Sequence, residues 1–222
     1  MPENRISIPV SFDASHNTVV HMSPPVDAIE TDEDQQYRAS AYSLLAALLR
    51  KNPDESLLSR LGLFSASNED ENDDLILAMS MLALSASSHR LDEIEDEYHQ
   101  LFVGLGRGEV VPFGSWYLTG FLMEQPLSDL RDDLQQLGFE RSENVREPED
   151  HIAALCEVMS VMISDRASLE TQLTFFNQHM SPWFGRFFND LVQSESAVFY
   201  QSVARFGTAF IEFESEYFTM QN

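Results

Sequence analysis

Through most of the chain apolar residues return every three or four positions, the spacing of one face of an α-helix. Tyr37, Ala41, Leu44, Leu45 and Leu48 form the first such stripe. Thr31 followed by Asp32, Glu33 and Asp34 predicts its start, because a hydroxyl cap and carboxylates favour the positive end of a helix. Arg50-Lys51 and then Asn52-Pro53 predict its end. A short helix is expected over Glu55 to Leu61, closed by Gly62. A third is expected from about Asp74 to Ser85, behind the acidic loop Asn68 to Asp74. Ile94, Tyr98, Leu101 and Phe102 mark an amphipathic helix that runs into the loop Gly104-Leu105-Gly106-Arg107-Gly108. Ser115 to Glu124 and Leu127 to Leu137 read as two helical pieces broken near Pro126, the second closed by Gly138.

The second half continues in the same style. Ile152, Leu155, Cys156, Met159 and Ile163 make one stripe, Leu169 to His179 continues helical, and Phe184, Phe187, Phe188 and Leu191 make another. Phe199, Val203, Phe206, Phe210, Phe213 and Tyr217 give a long last one. Strand-like alternation is confined to Ile6 to Phe12, where Pro9 weakens it, and none is expected after residue 30. The pattern therefore predicts an all-α fold: a helical bundle of two subdomains joined by a hinge, with an extended or mobile N-terminal arm. The arm covers residues 1–30, the first helical subdomain 31–139, the polar hinge 140–148 and the second subdomain 149–222.

Composition narrows the partners. The chain has 222 residues, 43% of them apolar, enough to bury a substantial core. Against 13 Lys and Arg stand 37 Asp and Glu, a formal net charge of -24. Such a surface repels nucleic acid and anionic lipid and attracts basic partners. One cysteine, Cys156, precludes an internal disulfide. The first 30 residues hold one cation, Arg5, and no signal-peptide core. The longest aliphatic run, Leu44 to Leu49, is too short for a membrane span. A cytoplasmic protein that is not embedded in a membrane is expected.

Candidate chemistry is sparse. The Gly104 to Gly108 loop lacks the Walker spacing and lysine, so it predicts a connection rather than a phosphate cradle. Cys156 lies on an apolar stripe and reads as packing. Asp150 and His151 are adjacent, point apart on a helix and have no second histidine nearby, so no metal site is expected. Glu147-Pro148-Glu149-Asp150-His151 reads as a helix start, with Pro148 in the first helical position and Glu149 and Asp150 in the positive first turn. The same cluster offers a carboxylate to an arginine-bearing peptide. Phe113, Trp116, Tyr117 and Phe121 add an aromatic surface suited to an amphipathic segment.

Several of these segments resemble one family. Glu97-Tyr98-His99-Gln100-Leu101-Phe102, the Gly104 to Glu109 loop, Pro112-Phe113-Gly114-Ser115, His179-Met180-Ser181-Pro182-Trp183 and above all Glu147-Pro148-Glu149-Asp150-His151-Ile152 are similar to motifs of the TorD/DmsD chaperones. The likeness runs over roughly residues 35–218. It implies a cytoplasmic chaperone, not an enzyme and without a cofactor of its own. Such a chaperone binds the twin-arginine signal peptide of a molybdenum-containing oxidoreductase, assists cofactor insertion and delays export until folding is complete. The implied client is the apo form of formate dehydrogenase or of an S- or N-oxide reductase. Carried onto this chain, the peptide-binding positions are Tyr98, Leu101, Phe102, Phe113, Tyr117, Asp150 and His151, and Glu147 to His151 form the hinge motif. Tyr98 and Phe113 stand where relatives can carry tryptophan. A nucleotide-binding hydrolase and a permanent scaffold subunit of a redox complex are the alternatives. A monomer or a lobe-swapped homodimer fits the two-lobed organisation.

Overall fold

The structure is a computed structural model, and it describes residues 19–21, 33–64, 74–104, 107–141 and 145–220. Their packing divides the chain into two compact units that interleave in sequence. The described residues of the first fall within Lys51–Val111 and Gly185–Asn222, and those of the second within Ser11–Arg50 and Pro112–Phe184. The segment 140–148, expected to join an earlier to a later subdomain, lies inside the second unit. Packing pairs helices that are distant in sequence, and a composition break along the chain carries no record of that pairing.

In the second unit, α1 (Glu33–Arg50) packs along α7 (Ile152–Ser164). Helix α7 is buried on nearly all sides, which its almost continuous apolar sequence allows. Alanines on both helices permit close approach. Ser160 Oγ donates to the Ala39 carbonyl at 2.9 Å and lies 2.8 Å from Ser43 Oγ, so the polar atoms within the contact are satisfied. Arg50 closes the last turn of α1 by gripping Glu157 of α7 with Nε and Nη2, at 3.3 and 2.9 Å. The unit also holds α5 (Gly114–Thr119), α6 (Gln125–Gln136) and α8 (Leu169–Phe175), the last running into a π-helical turn, Phe176–Met180.

The first unit holds α2 (Glu55–Leu61), α3 (Asp74–Ser88), α4 (Leu91–Tyr98), a π-helical turn His99–Val103, and α10 (Phe199–Met220). Helix α9 (Phe184–Gln193) falls within it from Gly185 onward. Helix α10 lies against α3 and α4. Its aromatic stripe is buried as expected at Phe199, Phe206 and Phe210, while Phe213 is 36% exposed.

The all-α expectation holds, and the helix predicted at Glu55 to Leu61 has those bounds. Three local expectations are corrected. The break between α5 and α6 falls at Gly120, whose φ of 84° is left-handed, and Pro126 sits in the first turn of α6, where its missing N–H is no loss. Phe139–Arg141 is a strand, β2, paired antiparallel with β1 (Val19–His21), although no strand was expected after residue 30. Three residues with only Phe139 buried are too few for alternation to register. Helix α7 begins at Ile152, so Pro148 is not a helical position. The arm over residues 1–30, the Thr31 cap, and the acidic loop at Asn68 to Asp74 lie outside the described residues, save Val19–His21 and Asp74.

Among the described residues no helix is long and apolar enough to cross a membrane.

Candidate functional site

The segment Glu147 to His151 is held from several sides, all within the second unit. The Glu147 carboxylate meets Arg50 Nη1 at 3.0 Å. Glu149, mostly buried, meets Arg131 at 2.8 Å and Arg141 at 3.6 Å. Asp150 Oδ2 accepts the Ser115 N–H at 2.8 Å, in the first turn of α5. The backbones are tied as well: Gly114 N–H donates to the Asp150 carbonyl and Ile152 N–H to the Pro112 carbonyl, each at 2.9 Å. Phe113 and His151 form a β-bridge, with their rings edge-to-face at 5.1 Å.

His151 is the N-cap of α7. Its Nδ1 accepts the Ala153 N–H at 3.1 Å, which places the ring proton on Nε2. Burial, and secondarily the charge of Arg50, lower its pKa to about 3, so the imidazole is neutral at physiological pH. The expected carboxylate role at the α7 start is therefore filled by His151, and Asp150 caps a different helix.

Asp150 has one further feature. Its residue is 3% exposed, and its Oδ1 is buried with no hydrogen-bond partner among the described residues. A buried acceptor without a donor is costly, and such an atom is a candidate for a ligand contact. Asp150 lines a cavity of about 340 Å³ with Leu118, Asp129, Asp133, His179 and Trp183. Trp183 is fixed there: its Nε1–H donates to the His179 carbonyl at 2.8 Å, and its ring stacks on Tyr117 at 5.4 Å. Gly114 packs closely against it: a Cβ there would lie 3.1 Å from the indole nitrogen, so the ring would have to give by a few tenths of an ångström.

The seven expected contact residues fall into two groups. Phe113, Tyr117, Asp150 and His151 lie in the second unit, around α5 and the start of α7. Tyr98, Leu101 and Phe102 lie in the first. Tyr98 and Phe102 there form an aromatic cluster with Tyr200, with ring centroids 5.0 to 5.9 Å apart. Leu101 is fully buried. Sequence reading missed Asp129, Asp133 and the cavity role of His179. The i, i+4 spacing of the two aspartates on α6 was the available signal, since it puts both on one face.

Two other candidates are structural. Gly104 has φ of 58°, and a Cβ there would collide with the Arg107 carbonyl at 2.0 Å, so the backbone at this position calls for glycine. Cys156 is buried, and burial raises its thiol pKa, leaving no reactive thiolate. Among the described residues no group of three or more His, Cys, Asp or Glu is placed to hold a metal ion.

A family model described as "Nitrate reductase delta subunit" matches residues 66–189, more than half of the chain. The chain is 26% identical to "Chaperone protein TorD" of Aliivibrio fischeri over 82% of its own length and 94% of that protein. It is 32% identical to the "Probable Tat proofreading chaperone DmsD" of Haemophilus influenzae over 50% of its length and 55% of that protein. A solved structure of a candidate redox enzyme maturation protein from Archaeoglobus fulgidus shares the fold, with a TM-score of 0.54 at 18% identity, over 86% of this chain and 99% of that one. The matches define a maturation chaperone rather than a catalyst. The chain belongs to the TorD/DmsD family of redox-enzyme maturation chaperones.

Proposed function

We propose that this chaperone acts in the cytoplasm on the apo form of a molybdenum-containing oxidoreductase, binding its twin-arginine signal peptide. It assists molybdenum-cofactor insertion and delays export until the client is folded. Formate dehydrogenase or an S- or N-oxide reductase is the client class. The observation that carries this reading is the buried Asp150 carboxylate beside an acidic cavity, with one oxygen on Ser115 and the other without a partner among the described residues. A guanidinium supplies the missing donors in a fixed fork and neutralises the charge. The net charge of -24 draws a basic segment toward the protein at low salt. Phe113 and Tyr117 supply apolar contact next to Asp150. Tyr98 and Phe102 offer an aromatic surface in the other unit. Leu101 and His151, both buried, act by holding their neighbours. Glu147 and Glu149 fix the segment through Arg50, Arg131 and Arg141.

Isothermal calorimetry with a synthetic twin-arginine signal peptide and its alanine-substituted control tests the reading. Binding of the arginine peptide alone is expected. Equal binding of both, or of neither, would overturn it.

A further inference from the structure

The cavity beside Asp150 holds more acid than Asp150 alone. Asp129 and Asp133 stand one turn apart on α6, both line it, and neither lysine nor arginine is among its lining residues. Asp129 Oδ1 accepts from Gln125 Nε2 at 2.7 Å, and Asp133 Oδ2 lies 2.8 Å from His179 Nε2. Burial lowers the pKa of His179 against the opposing pull of Asp133 and Asp129, so that imidazole is mainly neutral at pH 7. Three carboxylates thus face one cavity without a full countercharge among its lining residues. The second, independent sign of a ligand is the buried Asp150 Oδ1, which has no hydrogen-bond partner among the described residues.

Apolar surface adjoins the acid. Leu118, Phe121, Leu122 and Met123, on and just after α5, are 40%, 68%, 49% and 71% exposed. Leu118 and Pro126 line the cavity itself, so the two surfaces are continuous. The connection is pinned in place. Phe121 N–H donates to Thr119 Oγ1 at 3.2 Å, and Met123 N–H to Ser115 Oγ at 3.2 Å. Met123 is held at φ of 60°, a left-handed conformation that a methionine adopts only against a steric cost. A strained loop that holds apolar side chains in water beside an acidic cavity matches a segment in which cationic and bulky apolar residues adjoin.

Resting on the signal-peptide reading above, we propose that α6 and the α5–α6 connection form the specificity half of the site. Asp129 and Asp133 engage a guanidinium alongside Asp150, and Phe121, Leu122 and Met123 pack on bulky apolar residues adjoining the arginines in the same segment.

The test is calorimetry on the full chain with two synthetic peptides. One carries an arginine pair followed by phenylalanine, leucine and an apolar tail, and the other lacks everything apolar. Asp129→Asn with Asp133→Asn is expected to weaken both peptides about tenfold or more. A charge-matched control on exposed positions of α10, Glu212→Gln with Glu216→Gln, is expected to stay within about twofold of wild type. Phe121→Ser with Leu122→Ser is expected to cost about tenfold for the tailed peptide and nothing for the short one. Both loop residues are exposed, so the fold is kept, and circular dichroism checks this. Where the Asp133 change itself lowers the melting temperature, Asp129→Asn alone serves. The inference is overturned when the loop variant binds the tailed peptide like wild type, or when the charge-matched control weakens binding as much as the α6 variant. Failure of the wild type to bind either peptide overturns the signal-peptide reading itself.

Discussion

Asp150 caps the start of α5 from 35 residues away: its Oδ2 accepts the Ser115 N–H at 2.8 Å, while its carbonyl accepts the Gly114 N–H at 2.9 Å. One residue therefore holds the helix that carries Tyr117 and immediately precedes His151, the cap of α7. Asp150→Ala removes the charged acceptor and leaves the Ser115 N–H buried, at a cost of about 1–3 kcal/mol. Asp150→Asn keeps a carbonyl for that N–H and is expected to cost less. Urea denaturation of the three proteins measures the difference. Equal losses for Ala and Asn would show that the cap is not what Asp150 contributes to stability.

His151 makes stability depend on pH. Its folded pKa is lowered from 6.5 to about 3, first by burial and then by Arg50. Above pH 6.5 the imidazole is neutral folded and unfolded, and the contribution is fully present. As pH falls, the unfolded chain takes up a proton that the folded chain refuses until about pH 3, so stability is lost across that window. The expected loss at pH 5 is roughly 2 kcal/mol. His151→Asn retains a cap acceptor without the titration. Urea curves at pH 7 and pH 5 are expected to separate less for this variant than for wild type. His179 shifts in the same direction but is common to both proteins. Identical pH dependence in the two would refute the assignment.

The helices were legible because their signal is local. Glu55 to Leu61 has a cap, a stripe and a stop within nine residues, and the structure returns the same bounds. Relations between segments were less legible. The start of α7 was misplaced because proline and carboxylates at Pro148 to Asp150 imitate a first turn, whereas the carboxylate of Asp150 goes to α5. Nothing local in the sequence distinguishes a carboxylate that caps its own helix from one that caps another. The interleaving of the two units escaped for the same reason. Of the candidate site, the Glu147 to His151 cluster stands out in the sequence itself. The cavity required the fold, since Asp129 and Asp133 line one cavity with Asp150 only once α6 packs beside α5.

Glu97 repeats the capping theme in the other unit. It is 7% exposed, and its carboxylate accepts three backbone N–H groups at the start of α10: Val198 at 2.8 Å, Phe199 at 3.0 Å and Tyr200 at 2.7 Å. Those groups have no intrahelical partners, and a carboxylate at that end also opposes the helix dipole. Glu97→Gln removes the charge and turns one acceptor into a donor facing another donor. The expected cost is about 2–4 kcal/mol, with faster amide exchange at Val198 to Tyr200. Unchanged exchange at those amides would contradict the capping role.

Gly207 sits midway along α10, where glycine is unfavourable by up to about 1 kcal/mol relative to alanine. Packing reverses that preference here. A Cβ at Gly207 would lie 2.3 Å from Cε1 and Cζ of Phe188, a fully buried ring that would have to shift to admit it. Overpacking of this kind costs about 1–3 kcal/mol, which exceeds the propensity gain. Gly207→Ala is therefore expected to destabilise the protein by roughly 1–2 kcal/mol net. Placing the same change in a Phe188→Leu background removes the ring that the methyl would strike, and the added cost of Gly207→Ala should then shrink or change sign. Denaturation of the four proteins closes the cycle. Strict additivity would mean that the glycine is kept for some reason other than the Phe188 ring.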